Sequence, residues 1–407
     1  MTVGIDIKEL PECLEIWRDF LECRLPVLPG SAETGRIAEL ADSIKQRSFP
    51  SSDIDLPPGY VAVVANVYAD PLGGPLSQLL KCLTAVKICA EFEKNGVAAA
   101  PVCCVRKDAQ PDFLPWEINF VDRGSKLHCL QSAARDEDFF EKIFPDGDRE
   151  SLSALKEAFA PGTYSVSSCA RWLEYLMKDF GVLVIEQGAV APDHNSGDSE
   201  PLCLRQSREL PVAAFVADSS EITEYVKALP LWDRDGLPRP LVWPCPDVTI
   251  SNARNLKTLK RYGLDFSQLF DGKERVMDYV RVALKSDVPA RLQKLRDEAV
   301  AVLDELETAV FAARGERSDR IRKARAARII YQLEKTQKHS RDALADKEKA
   351  AANRICKTCD FLAPLGRRQK DVLCAAQIPV SYGRAGLREL YERLDITTPN
   401  HQLIEIN

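Results

Sequence analysis

The stretch Tyr60-Val61-Ala62-Val63-Val64-Ala65, then Asn66-Val67-Tyr68-Ala69-Asp70-Pro71-Leu72-Gly73-Gly74-Pro75, sets the frame for the whole chain. Its first part is an unbroken apolar run, the pattern of a strand covered on both faces. Its second part is dense in turn-formers. From Leu76 the spacing becomes helical, with Leu76, Leu79, Leu80, Leu83, Val86 and Ala90 on one face. Pro75 suits a first helical turn, and Gly96 after Lys94-Asn95 suits a stop. A second apolar run covers Val97 to Val105. Strand, turn, helix and strand make a βαβ unit, whose ligands sit where the first strand ends and the helix begins.

Working outward, Gly181-Val182-Leu183-Val184-Ile185, Val212 to Ala217 and Pro240 to Trp243 supply three more buried-type strands. Ser165 to Phe180 reads as a helix, and Asp218-Ser219-Ser220-Glu221 opens another by capping-box logic. Strands alternating with helices predict an α/β fold with a parallel, doubly wound sheet. Trp116 to Gln131 reads as a short hairpin about Asp122-Arg123-Gly124-Ser125, and Asp136 to Phe159 as surface helices. The polar segment between Gln187 and Arg208 reads as a flexible loop.

Residues 1–58 form a helical lead-in, with Leu10, Leu14, Trp17, Phe20 and Leu21 at helical spacing. The α/β body then occupies 59–278. Residues 279–357 predict an antiparallel helical hairpin projecting from it, since Leu292, Leu295, Ala299, Val302, Leu306 and Ala309 make an a/d seam. That seam needs a partner, and a second copy of the hairpin would supply it. The basic run Arg320, Arg322, Lys323, Arg325 and Arg328 is a solvated helix face, with phosphate binding as the sharper alternative. Residues 358–407 return to the body and end on a strand at His401 to Ile406.

Composition bounds the chemistry. The chain has 407 residues, 45% of them hydrophobic, ample for a core. A formal net charge of −6 argues against nucleic acid. No apolar run is long enough for a bilayer, and acidic residues among Met1 to Glu22 rule out a secretory signal there, so the expected location is cytoplasmic. Thirteen cysteines, an odd number lying mostly in apolar runs, read as small core residues. Cys356-Lys357-Thr358-Cys359 has metal or redox spacing but no second ligand pair, so no metal site is assigned.

Gly73-Gly74-Pro75-Leu76, the helix through Lys81 and Ala85-Val86-Lys87, and Pro101-Val102 resemble the cysteine-adding enzymes of bacillithiol biosynthesis, the BshC family. Further islands follow in the family's order: Ala170-Arg171 through Ile185, Leu210 to Phe215 with Glu221-Ile222, Pro364 to Gln369, Tyr382-Gly383 and His401. The resemblance runs from about Val61 to the end of the chain, in shortened and motif-degenerate form. It implies a Rossmann-like core with a coiled coil that pairs two subunits. It also implies a ligase that forms a C–N amide bond, joining cysteine to the amino group of glucosaminyl-malate.

Making that amide requires a leaving group on a carboxylate. A nucleotide is the usual means, so ATP or ADP is the one cofactor to consider. A helix N-terminus behind glycines is a suitable anion cradle. On this resemblance Asp108 and Asn66 are the catalytic candidates, and Gly73, Gly74, Lys81 and Glu221 the ligand- or nucleotide-binding ones. Lys81 and Lys87 would neutralise charge only if they face the cleft; as surface lysines they would have no role there.

The departures are specific. Asn66-Val67-Tyr68 stands where the family has Gly-Gln-Gln, and Asp108-Ala109-Gln110-Pro111 where it has an acidic, histidine-bearing motif. Pro244-Cys245 replaces Pro-Arg, and Gln369-Lys370-Asp371 replaces Gln-Glu-Arg. The alternative is therefore a catalytically inactive relative that keeps nucleotide or sugar-ligand binding and coiled-coil dimerisation.

Overall fold

A computed structural model of the chain describes residues 2–5, 59–106, 117–122, 124–131, 140–141, 144–160, 166–187, 201–237, 239–284, 288–314, 319–398 and 400–406. The strands are β1 (Thr2–Ile5), β2 (Val61–Tyr68), β3 (Ala99–Arg106), β4 (Glu117–Val121) and β5 (Leu127–Gln131). They continue with β6 (Leu183–Gln187), β7 (Val212–Ala217), β8 (Leu241–Pro244), β9 (Val248–Ser251) and β10 (His401–Glu405). The helices begin with α1 (Leu76–Lys94), α2 (Arg149–Ala158), α3 (Val166–Met177), α4 (Leu202–Glu209) and α5 (Ser219–Arg234). After them come α6 (Ala253–Tyr262), α7 (Lys273–Leu284), α8 (Val288–Arg314), α9 (Asp319–Leu362), α10 (Gln369–Val372) and α11 (Gln377–Arg393).

Contacts divide the chain into two compact units, Met1–Lys257 with Lys357–Asn407, and Thr258–Cys356. The first holds a five-stranded sheet in the order β6-β3-β2-β7-β8, with every neighbouring pair parallel. All five were legible as apolar runs, because a strand covered on both faces has no polar side to show. The reason is visible at β2, where Val61, Ala62, Val63, Val64, Ala65 and Val67 are all buried. Helix α1 packs on β2, β3 and β7 and is buried almost all round, from Leu76 to Phe92.

From β2 the chain moves outward to β3 and β6, then crosses back to β7 and β8. Strand order thus reverses between β2 and β7, and in an open α/β sheet that switch point, at the carboxyl ends, is where ligands bind. The predicted hairpin is present as antiparallel β4 and β5, and the capping box at Asp218 and Glu221 starts α5. A separate three-stranded sheet places β10 between β1, to which it is antiparallel, and β9, to which it is parallel.

Two expectations change. Thr2–Ile5 forms a strand, not the start of a helical lead-in, because Thr2, Val3, Gly4 and Ile5 pair with Ile404, Leu403, Gln402 and His401. The helical spacings read between Leu10 and Ile44 lie outside the described residues. Within the polar segment read as a loop, Leu202–Glu209 is helical, with Leu204 and Gln206 wholly buried. Residues 188–200 lie outside the described residues.

In the second unit, α8 and α9 touch through side chains. The Arg296 guanidinium donates to Glu334 at 3.1 Å, and the Gln337 amide to Gln293 at 2.7 Å. Three residues back on α8 match three forward on α9, so the two helices run antiparallel. No helix among the described residues is long and apolar enough to cross a membrane.

Candidate functional site

The glycine turn occupies the carboxyl end of β2, as expected, but it is closed by the chain's own atoms. Leu72, Gly73 and Gly74 all take positive φ, 54°, 84° and 71°. Such a run is open to glycine and costly for leucine. Gly73 donates its N–H to the Asp70 carbonyl at 3.2 Å, and a Cβ there would meet the Trp172 indole at 3.1 Å and Ala375 at 3.3 Å. The Gly74 carbonyl accepts from Ala375 N–H at 2.7 Å, and Leu76 N–H donates to the Leu373 carbonyl at 2.7 Å. Residues 373–375 therefore clamp the turn from outside, and the Leu76 amide that opens α1 is already engaged.

Asn66 is on β2, two residues before its end, and is 2% exposed. Its amide donates to Gln206 at 3.1 Å and to the Tyr225 hydroxyl at 2.8 Å, and accepts from the Gln206 amide at 2.7 Å. Both of its N–H groups and its oxygen are thus satisfied by α4 and α5. Burial pushes the Tyr225 hydroxyl pKa well up, with nearby Glu221 adding to the effect, so it stays a neutral phenol. Asp108, the other catalytic candidate, lies outside the described residues.

Lys81 is not a surface lysine. It is 0% exposed, and its ammonium lies 3.1 and 3.2 Å from the two Glu221 oxygens and 3.7 Å from Asp218. Burial works to lower its pKa, but Glu221 and Asp218 together outweigh that and hold it raised, so the ammonium persists. Glu221 also accepts the Asp218 backbone N–H at 2.9 Å, fixing the carboxylate to the first turn of α5.

The charges continue through the body. Lys370, on α10 and 2% exposed, lies 3.8 Å from Asp218 and 3.8 Å from Asp247, and donates to the Pro246 carbonyl at 3.4 Å. Asp247 in turn meets the His401 ring at 3.0 Å, both side chains being 0% exposed. The result is a series, Glu221, Lys81, Asp218, Lys370, Asp247 and His401, buried at every member but the partly exposed Asp218. Burial alone would raise the Asp247 carboxyl, yet Lys370, His401 and Arg368 outweigh it and hold it well below the usual carboxylate range. The Cys245 thiol sits among these groups, and burial, with Asp218, pushes its pKa well up. Within it the carboxylates outweigh burial at Lys81 and Lys370 and raise both pKa values, whereas at Glu221 burial wins and pushes the carboxyl up.

A cleft of about 310 Å³ opens beside the glycine turn. Asp70, Gly74, Asn119, Arg367 and Asp371 supply its polar lining, and Ile118, Leu365 and Val372 the apolar part. The volume is at the small end of ligand pockets. Asn119 is 7% exposed and its side-chain oxygen has no hydrogen-bond partner. Asp371 holds Arg368 at 2.7 Å. Of the residues expected at the site, Gly74 lines this cleft; Asn66, Gly73, Lys81 and Glu221 are not among its lining residues.

Gln206, Asn119 and Asp247 had no sequence signal, and Lys370 and His401 had only the family resemblance around them. Gln206 lay in a segment whose composition reads as loop, and Asn119 in an ordinary hairpin strand. Lys370, Asp247 and His401 meet across more than a hundred residues. Lys81 did carry one clue, a charge inside Leu79-Leu80-Lys81-Cys82-Leu83 on a helix with no fully polar face. Among the described residues, no three His, Cys, Asp or Glu side chains gather at metal-binding spacing.

No protein-family model matches the chain. A protein of Salinibacter ruber named "Putative cysteine ligase BshC" is 25% identical over 204 residues, 50% of this chain and 37% of that protein. One of Solibacter usitatus with the same name is 24% identical over 212 residues, 49% of this chain and 38% of that protein. The aligned part thus spans well under half of each relative. With an α/β body and a glycine turn at the switch point, the chain is a distant relative of these BshC proteins.

Proposed function

We propose that this chain is a ligase of the BshC type, joining cysteine to the amino group of a sugar–malate conjugate such as glucosaminyl-malate. The observation that carries this reading is the cleft beside Gly74, at the carboxyl side of the sheet and in the βαβ unit where the family resemblance begins. The names of the two relatives support it. Arg367, exposed on the cleft's lining, would meet a substrate carboxylate, while Asp70 and Asp371 would accept hydrogen bonds from hydroxyl or ammonium groups. Asp108 and Asn66 remain the catalytic proposals, and Gly73, Gly74, Lys81 and Glu221 the binding ones.

Most amides of the glycine turn are already engaged, which weakens it as a cradle for a nucleotide phosphate. The Gly73, Leu76 and Gln78 amides already donate to Asp70, Leu373 and Pro75. The buried Lys81 is held by two carboxylates.

The same observations favour a second reading, a catalytically inactive BshC-like protein that keeps sugar-ligand binding and pairs through its long helices. Asn66 is fully engaged in holding α4 and α5, which suits a structural role. For pairing, Leu295, Val302 and Leu306 of the expected seam are 51%, 54% and 54% exposed. These positions, on a helix antiparallel to α9, support a coiled-coil hairpin that a second copy would cover.

One assay separates the two readings. Purified protein is given cysteine, glucosaminyl-malate and ATP, and the thiol product is sought by mass spectrometry. Product formation supports the ligase. Its absence from protein that melts cooperatively, with a thermal shift on adding the sugar–malate conjugate alone, supports the inactive relative. For pairing, light scattering of the Leu295→Lys, Leu306→Lys double variant is expected to show half the native mass; an unchanged mass sinks the seam.

A further inference from the structure

Eleven cysteines are described and all are free thiols, but two of them lie closer than packing distance. Cys82 on α1 and Cys103 on β3 place their sulfurs 2.8 Å apart, each side chain 0% exposed. Non-bonded carbons settle at ~3.5–4.0 Å, and sulfur is larger than carbon. Closing this separation to a covalent bond of ~2.05 Å needs a shift of under about 1 Å.

We propose that Cys82 and Cys103 are a disulfide-forming pair, oxidised by a small-molecule disulfide, whose bond ties α1 to β3 directly beside Lys81. The neighbours make the pairing selective. Cys104, next in sequence, lies on the other face of β3, because side chains alternate along a strand, and it faces Gln206 of α4. Cys89, also on α1, is two helical turns from Cys82 and lies near Glu93. The hydrogen bond to Cys82 and burial hold the Cys103 pKa well up, so exchange is slow in the closed protein and proceeds as the chain folds or opens.

The chemistry balances in two exchanges. One protein thiolate attacks a sulfur of the small disulfide, forming a mixed disulfide and releasing one small thiol. The second protein thiolate then attacks the protein-side sulfur of that mixed disulfide and releases the other. Two protein thiols lose two electrons and two protons, and both pairs leave on the two small thiols.

The full-length protein is unfolded in urea and refolded in a mixture of oxidised and reduced glutathione, so that every thiol has access to the oxidant. Remaining thiols are then alkylated in denaturant and the digest is mapped by mass spectrometry. A peptide linking Cys82 to Cys103 is expected, together with a rise in Tm that dithiothreitol reverses. Cys104→Ser is expected to keep the link, and Cys82→Ser to abolish it. Alkylation of both Cys82 and Cys103, a stable glutathione adduct on either, or a link from either to another cysteine overturns the proposal. The mapping on the unaltered chain decides the matter even if a variant fails to fold, and none of these readouts depends on ligase activity.

Discussion

Charged residues do opposite work in the two units. In the body, Lys81, Glu221, Lys370 and Asp247 are at most 5% exposed and meet one another in series. In the helical unit, Arg296 and Glu334 also meet, but their side chains stay 33% and 51% exposed. Water solvates the second pair almost as well apart as together, so the contact adds little. The first series has no such fallback, because a buried ion that loses its partner stays uncompensated. Composition alone cannot separate the cases, since both segments contain the same residue types.

Lys81→Met would test the contrast hardest. It leaves the buried Glu221 without its cation, and the expected loss is about 3–5 kcal/mol of unfolding free energy. Denaturant unfolding measures it. Adding Glu221→Gln is expected to restore much of the loss, and a fully additive double variant would mean the two groups are not coupled.

Next in size is the acid response of Asp247. Its folded pKa is depressed, so the group stabilises the protein above its unfolded value, ~3.9. That contribution is lost as pH falls through this value towards the folded pKa. Denaturant midpoints measured from pH 7 downward should therefore fall more steeply below about pH 4 for the parent than for Asp247→Asn. Parallel profiles would mean that the carboxylate is not specially held.

A smaller effect is expected from Gly73→Ala, about 1–3 kcal/mol, from positive φ plus the Trp172 indole at 3.1 Å. Gly236→Ala is its control, with φ of 65° and nothing within 4 Å, and should cost less by thermal melting. Equal costs would show that backbone strain, and not the packed indole, is what fixes glycine at the turn. At the bottom of the scale, Arg296→Ala should change stability by no more than ~1 kcal/mol. A larger loss would mean that this pair is shielded from solvent, and the contrast between the units would weaken.

The sheet was far easier to read than the site. β2, β3, β6, β7 and β8 announce themselves as apolar runs, and their ends moved by one to three residues, most at β2, where Asn66, Val67 and Tyr68 extend the strand beyond Ala65. β1 escaped because Thr2–Ile5 becomes a strand by pairing with residues some four hundred positions away. α4 escaped because its buried face rests on Leu204 and Gln206 within a polar segment. The site rests on similar long-range meetings: Lys81 with Glu221, Lys370 with Asp247, Asp247 with His401. Nothing local to any one of these residues encodes its partner. The glycine turn shows the converse, since Gly73 and Gly74 were located well, while the segment that closes on them, residues 373–375, comes from the far end of the chain.

Strand β10 also sets an order of events. It is the middle member of its sheet, and it carries His401, the final group in the buried charge series. During synthesis β2, β3, β7 and the helix bearing Lys81 can assemble while the later residues are still being made. β1 and β9 must wait as unpaired edges, and Asp247 must wait without its imidazole, until residues 401–405 emerge. Contacts that span most of a chain form late and leave edges open to wrong partners meanwhile. Until residues 401–405 are made, both edges and the Asp247 carboxylate are thus open to misassembly.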